Sequence, residues 1–473
     1  VTNEWDVVVV GGGTGGYVAA IRGAQLGLRV AVVESSDLGG TCLHRGCIPS
    51  KALLRTAEVF STAQQAASYG VDVRDVKLDI KRAMERKASI VTTLHRGVTH
   101  LMKKHNIEVI RGFGRIMGPS IFSPSAGAVR VTLENGDEQT LTPRSTIIAT
   151  GSSPRALPGL PFDGKKVLSS DDVLTMEDVP SSILIVGGGA IGVEWASMFQ
   201  DFGTRVTVVE ATPSLLIQED EEIGREMTRL FKKRGITVLT NATLDVSSIA
   251  KLESGIEVDV VQGDRRERVS AEVMLVAIGR SPNVENIGLE ATRVNVVRGA
   301  IEVDEHLRTA EPTIYAIGDV IGGLQLAHVA SHEGIHAMET IAGIHSARIN
   351  YDQVARCTYS RPEVASVGIS EKEARARGHN VKAGKFSFKA NGKALIFGES
   401  DGFVRILADV DTGDLLGVHM IGPHVTDLIS EASLAMVLDA IPWEIGHTIH
   451  PHPTLSEVIG EAALGVTGEM IHG

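Results

Sequence analysis

The chain has 473 residues, 43% of them hydrophobic and 22% charged, which fits an ordinary folded protein of about three domains at ~150 residues each. A net charge of −12 without any clustered Lys/Arg stripe argues against a nucleic-acid partner. The apolar runs fall well short of the ~20 residues that a membrane span needs, and residues 1–5 carry no export-signal pattern, so a cytoplasmic or organelle-matrix protein is expected.

In chain order, the first predicted element is a strand over residues 6–10. It runs into Gly11-Gly12-Gly13-Thr14-Gly15-Gly16, a helix to Leu26 and a second strand over 29–33 that ends at Glu34. This is the G-x-G-x-x-G pattern between a strand and a helix, with an acid a little over twenty positions on. The first glycine makes the tight turn, the second lets backbone approach a pyrophosphate, and the third lets helix pack on strand. The helix N-terminus offers unpaired N–H groups to phosphate, and the acid accepts from a ribose diol.

Next comes Gly39-Gly40-Thr41-Cys42-Leu43-His44-Arg45-Gly46-Cys47-Ile48-Pro49-Ser50-Lys51. Only three cysteines occur, Cys42, Cys47 and Cys357, too few for a secreted disulfide framework. In a regular helix, Cα atoms five residues apart lie roughly 8–9 Å from each other. A disulfide needs them within about 7 Å, so a bonded pair requires a break, for which Gly46 supplies the freedom. Pro49 fits the first turn of a helix starting just after. The pair reads as a redox disulfide, as two half-exposed thiols, or as half of a zinc site whose other two ligands do not appear as a cluster.

Residues 51–104 read as mainly helical, followed by strands near 108–114 and 128–133. Residues 146–153 look like a crossing into a second domain, which repeats the first device. A strand over 183–186 leads into Gly187-Gly188-Gly189-Ala190-Ile191-Gly192, a helix to Phe202, and a strand over 205–209 ending at Glu210. One such pattern is weak evidence; two in full context imply two dinucleotide sites. Glu210, with no arginine close behind it, repels a 2′-phosphate and favours NAD over NADP. Strands over 273–278 and 314–317 follow. From about Tyr351 the pattern becomes alternating strands and two helices, an α+β tail with sixteen acidic against ten basic residues.

Near the end stands His450-Pro451-His452-Pro453-Thr454-Leu455-Ser456-Glu457. A dithiol attacks as thiolate and needs a base, a role histidine fills near neutral pH. His452 with Glu457 is a plausible imidazole–carboxylate pair; a stiff surface turn is the competing reading.

Together these motifs closely resemble the pyridine nucleotide–disulfide oxidoreductases, over nearly the whole chain. The resemblance is carried by Gly-Gly-Thr-Cys42…Cys47-Ile-Pro-Ser-Lys51, Ala-Thr-Gly151-Ser, Gly-Gly-Gly-Ala-Ile-Gly-Val-Glu194, Ala277-Ile-Gly-Arg280-Ser-Pro-Asn, Tyr-Ala-Ile-Gly-Asp319, Leu-Ala327-His328 and His452-Pro-Thr-Leu-Ser-Glu457. It implies an α/β fold with two Rossmann-like dinucleotide-binding domains and a C-terminal α+β interface (dimerisation) domain. The expected divisions are 1–149 and 280–350 for FAD, 150–279 for NAD, and 351–473 for the interface. It implies a Cys42–Cys47 redox disulfide and an ion pair between Lys51 and Glu194 beside the flavin. FAD is expected on Gly11, Gly13, Gly16, Glu34, Lys51, Gly114, Gly151, Asp319 and Ala327. NAD is expected on Gly187, Gly189, Gly192, Glu210, Val238, Ala277, Gly279 and Arg280, and no metal is expected.

The branch most resembled oxidises protein-bound dihydrolipoamide and reduces NAD⁺, as a homodimer in which His452 and Glu457 serve the partner's site. Its partners are the lipoyl domain and acyltransferase core of a 2-oxo acid dehydrogenase (or glycine cleavage) complex. Glutathione-reductase-like enzymes are the rival, disfavoured by Ala190, Glu210 and the His450-Pro-His452 run. A non-enzymatic flavoprotein scaffold is the other alternative. Departures from the family pattern are His44 for a common Asn, which could alter the thiols, Asp427 for Glu, and Pro451 for a small residue. Cys357 reads as a small core residue.

Overall fold

The computed structural model describes residues 5–119 and 126–473, so most of the stretch 1–5 read for an export signal lies outside the described residues. Among the described residues no helix is long and apolar enough to cross a membrane. The chain divides into two compact units. The first comprises residues 1–52, 81–154 and 280–349, and the second residues 53–80, 155–279 and 350–473.

The first unit is built on a seven-stranded sheet. Its order is Ile314–Ala316, Pro143–Ile148, Trp5–Val10, Val30–Glu34, Glu108–Met117, Ala128–Leu133 and Glu138–Leu141. The first five are parallel and the last two join antiparallel. The central Val7-Val8-Val9 run and Ala31, Val32 are fully buried, as expected of parallel strands covered on both faces. Helix Thr14–Gln25 packs on helix Ala327–Ile341 through glycine: a Cβ on Gly334 would stand 2.6 Å from the Gly15 carbonyl oxygen. Strands Ser152–Pro154 and Arg280–Pro282 pair antiparallel where the chain leaves and re-enters this unit.

The second unit contains three sheets. A five-stranded parallel sheet runs Thr237–Leu239, Arg205–Val209, Ser182–Val186, Val273–Val276, Val167–Leu168. A three-stranded antiparallel meander, Thr243–Leu252, Gly255–Gln262 and Arg265–Ala271, follows the first and is absent from the sequence reading. The tail forms a five-stranded antiparallel sheet in the order Arg356–Thr358, Glu363–Gly368, Leu415–Gly422, Phe403–Asp409, Val381–Ser387. Its core holds Phe388, Val404, Ile406, Val418 and Met420 with Ile429, Val458 and Ile459.

The two helices expected in the tail are Val425–Val437 and Glu457–Thr467, but three short ones accompany them: Glu371–Ala376, Gly392–Phe397 and Pro442–His447. Each has six residues, too few to show a helical period. Ser370 and Asn391 cap the first two from their side chains, and Pro442 opens the third.

Candidate active site

The first glycine loop is tightly determined. Gly11 has φ +107°, and a Cβ there would stand 2.2 Å from the Ala149 carbonyl oxygen. A Cβ on Gly16 would stand 1.9 Å from the Gly11 carbonyl oxygen, so the third glycine is required by the turn itself as much as by the strand. Gly13, by contrast, meets nothing closer than 3.9 Å, and it begins a helix whose N-terminus no side chain caps. That open face is where a phosphate fits. Buried Glu34 closes the loop: Oε2 accepts from Gly12 N at 2.7 Å and Oε1 from Ser36 N at 2.7 Å.

The cysteine segment lies directly on this loop. Gly39 N donates to the Gly12 carbonyl at 2.8 Å, and a Cβ on Gly40 would stand 2.6 Å from Gly13 Cα. The break that a bonded pair requires is present. Cys42 sits in helix Gly40–His44, Arg45 leaves helical geometry at φ −137°, and Cys47 starts helix Cys47–Gln64. That helix begins two residues earlier than Pro49 suggests, with its Gly46 and Cys47 carbonyls taken up by Ser50 Oγ. Here the pair is in the dithiol form. The Cys42 thiol is pushed far above the usual thiol range, first by its hydrogen bond with Cys47, then by burial and by the Cys47 charge. The Thr14 hydroxyl and the Lys51 charge pull the other way. Thr14, inside the glycine motif, therefore links nucleotide loop to thiol; the sequence reading missed it because the motif leaves that position unspecified.

The remaining first-site residues surround the same loop. Gly114 lies mid-strand, where a Cβ would come within 3.1–3.4 Å of Val10, Val33 and Val129. Gly151 has φ +72° and open space beside it. Asp319 sits in the turn Gly318–Ile321, which Glu333 holds by accepting from Gly318 N at 2.6 Å, and it accepts from Ser152 Oγ. Ala327 opens its helix without a side-chain cap. Arg280, placed by sequence with the NAD set, is grouped by the structure with these residues. Its Nε donates to Ser152 Oγ and its Nη2 to the Ser152 carbonyl, each at 2.7 Å, and it stands 3.9 Å from Asp319. The reason is topological: the chain re-enters the first unit between Gly279 and Arg280.

The second loop repeats the first in detail. Gly187 has φ +109° and would meet the Ala277 carbonyl at 2.4 Å; Gly192 would meet the Gly187 carbonyl at 2.0 Å. Gly189 faces open space at an uncapped helix N-terminus. Glu210 accepts from Gly188 N at 2.5 Å and Thr212 N at 2.7 Å. Val238 sits on strand Thr237–Leu239 beside Val208, and Gly279 turns at φ +112°. Glu194 is buried on the helix after this loop and accepts from Tyr359 N at 2.9 Å.

In the tail, His452 Nδ1 lies 2.8 Å from Glu457 Oε1, while Glu457 Oε2 accepts from Thr454 N at 2.8 Å. The carboxylate is therefore fixed twice and the imidazole once, leaving Nε2 as the nitrogen that can take a proton. The His452–Pro453 bond is cis. His44 points its Nε2 at the Leu38 carbonyl, 2.9 Å away, edge-on to His95, so its ring braces the loop. Cys357 packs against the tail core.

Two family models cover the chain: the pyridine nucleotide-disulphide oxidoreductase model matches residues 5–334, and the dimerisation domain of the same family matches 354–463. The chain belongs to this family. A dihydrolipoyl dehydrogenase of Bacillus subtilis is 59% identical over 470 residues, 99% of each chain. Another, from Zymomonas mobilis, is 43% identical over 99% of each. Among solved structures, LpdA from Mycobacterium tuberculosis superimposes with a TM-score of 0.89 at 27% identity, covering 97% of this chain and 98% of that one. The flavoprotein disulfide reductase RclA of Escherichia coli superimposes with a TM-score of 0.84 at 26% identity, covering 98% and 99%.

As a pyridine nucleotide-disulphide oxidoreductase, the chain works with FAD and a pyridine nucleotide, and both loops fit that use. Within the two motifs, the middle glycines Gly13 and Gly189 have an open neighbourhood within the chain, which is where a dinucleotide's phosphates need room. One consequence is testable. Gly16→Ala forces a methyl into the Gly11 carbonyl, an overpacking of about 1–3 kcal/mol at the turn that forms the cradle. Purified Gly16→Ala should carry little flavin per chain and melt earlier; full flavin content would contradict the role given to this turn.

Proposed function

We propose that the chain oxidises protein-bound dihydrolipoamide to lipoamide and reduces NAD⁺, as the dehydrogenase component of a 2-oxo acid dehydrogenase or glycine cleavage complex. The observation that carries the redox half is the cysteine segment lying on the first glycine loop, Gly39–Gly40 against Gly12–Gly13, with Thr14 on Cys42. The dithiol is named by the relatives. Bound FAD supplies the two-electron carrier between the thiol pair and the nicotinamide.

In the oxidised enzyme Cys42 and Cys47 are joined. His452 takes a proton from one substrate thiol at Nε2, and the thiolate attacks Cys42 Sγ. The S–S bond breaks and Cys47 leaves as thiolate. The second substrate thiol then displaces Cys42 from the mixed disulfide, closing the lipoamide ring, and Cys42 takes up a proton. Its high proton affinity, set by Cys47 and burial, suits that end state. Lys51, on the Cys47 helix, supplies positive charge to the pair. Arg280 and Ser152 hold Asp319, which would bind the FAD, and Glu210 would accept from the NAD ribose.

His452 is 79% exposed, an unsuitable setting for a base that works in a closed site unless a second surface covers it. The tail also exposes Leu434, Val437, Leu438, Trp443 and Ile449. A homodimer in which each tail completes the partner's site accounts for both features, and the match to a dimerisation domain supports it. The acidic tail suits docking to a basic module of an acyltransferase core. Sparse cysteine usage suits a reducing cytoplasm.

The test is NAD⁺ reduction driven by dihydrolipoamide with flavin-replete protein. Steady turnover is expected, with NADP⁺ at least about tenfold slower because Glu210 repels a 2′-phosphate. No turnover with dihydrolipoamide, or a preference for glutathione disulfide with NADPH, would overturn the reading.

A further inference from the structure

A second imidazole–carboxylate pair stands two residues before the first. His450 Nε2 lies 2.8 Å from Glu431 Oε1, and the Thr448 backbone is a further acceptor for the ring. Unlike His452, the His450 side chain is only 9% exposed. Its ring packs against the helix that Glu457 begins: a Cβ on Gly460 would stand 2.9 Å from Nδ1 and 3.0 Å from Cε1. Glu431 belongs to the other long tail helix, Val425–Val437. The ring thus ties together both helices and the loop carrying the proposed base.

We propose that His450 is a positioning residue that, as an imidazolium bonded to Glu431 and the Thr448 backbone, pins the His452–Glu457 pair in its working geometry. The inference rests on the dithiol-oxidising reading above. The charged groups facing the ring are Glu431 from one helix and Glu457 from the other, with His452 on the same loop. Both carboxylates favour the cation. The hydrogen bond that His450 donates to Glu431 is the main reason His450 holds its proton above the ordinary imidazole range, against the opposing effect of burial. A neutral ring has one N–H and cannot donate to two acceptors. The anchor is therefore whole below that raised value and weakens as pH climbs through it.

The experiment has two parts. In the native holoenzyme, ring ¹⁵N-labelled histidine spectra should give His450 a titration above 6.5; a titration at or below that value would overturn the proposal without reference to activity. In kinetics, Glu431→Gln should move the alkaline limb of kcat for dihydrolipoamide oxidation to lower pH. His450→Gln should lower kcat roughly 10- to 100-fold with little change in KM for NAD⁺, the range expected when a catalytic group is misplaced by about 1 Å. Flavin content and melting temperature identify any variant that has not folded. Folded variants with the parent's kcat and pH profile would overturn the proposal. A parent enzyme inert toward dihydrolipoamide would instead overturn the functional reading, and the titration would then decide the anchor.

Discussion

Cys47→Ser is expected to reduce dihydrolipoamide oxidation to assay background while leaving a folded protein that retains its flavin. A serine hydroxyl cannot form the disulfide that the reaction alternately breaks and remakes, so the loss is of the chemistry itself and not of a rate factor. The surroundings should tolerate the change. Cys47 opens its helix, where serine is well accommodated, and Gly39–Gly40 still hold the segment on the nucleotide loop. A second result separates the two sulfurs. In the dithiol form Cys42 holds its proton because of the hydrogen bond with Cys47, burial and the Cys47 charge. With serine at 47 that charge is gone and the hydrogen bond is altered, so Cys42 should ionise at lower pH and react faster with an alkylating reagent at neutral pH. Residual NAD⁺ reduction by dihydrolipoamide in Cys47→Ser would refute the electron route. Unchanged Cys42 alkylation would refute the account of its proton affinity.

The two glycine loops were legible because their sequence constraints are local. A Cβ at Gly11, Gly16, Gly187 or Gly192 collides with a carbonyl, so the pattern encodes geometry that any chain making this turn must have. The strands around them followed from continuous valine and isoleucine runs, such as 7–10 and 183–186. The meander over Thr243–Ala271 was not legible. Its strands carry Asp245, Asp259, Arg266 and Arg268 on one exposed face, and the ion pairs joining them exist only after the strands have paired. The motifs of the candidate site stand out in the sequence, but the contacts that support them do not. Thr14, Ser152, Glu333 and the Glu431–His450 pair act through contacts with residues distant in the chain, and the short patterns that contain Thr14, Ser152 and His450 do not specify those contacts. Arg280 shows the converse: its motif is clear, yet the unit in which it lies depends on where the chain crosses back.

His452→Gln should cost about 10³-fold in kcat for dihydrolipoamide, within the 10²–10⁴-fold typical of general bases, because the amide can bond Glu457 but cannot take the thiol proton. Glu457→Gln should cost somewhat less, roughly 10²-fold: the amide keeps one acceptor oxygen but loses the negative charge that stabilises the imidazolium, and it cannot accept from both Nδ1–H and Thr454 N. The pH behaviour separates the two. Burial raises the Glu457 carboxyl, but the Thr454 N–H and the His452 ring outweigh it and hold the group below the usual carboxylate range. A carboxyl depressed in this way adds stability at every pH above its unfolded value, and that stability is lost as pH falls through the lower folded value. Glu457→Gln should therefore melt earlier than the parent at neutral pH, and the gap should close in strong acid. Glu457 stays ionised on mild acidification, so its bonds to Thr454 and His452 persist there. A Glu457→Gln variant that matched the parent's melting temperature at neutral pH and its kcat would mean that this carboxylate neither braces the loop nor orients the base. The 2.8 Å contact would then be a surface pairing of the weak, exposed kind.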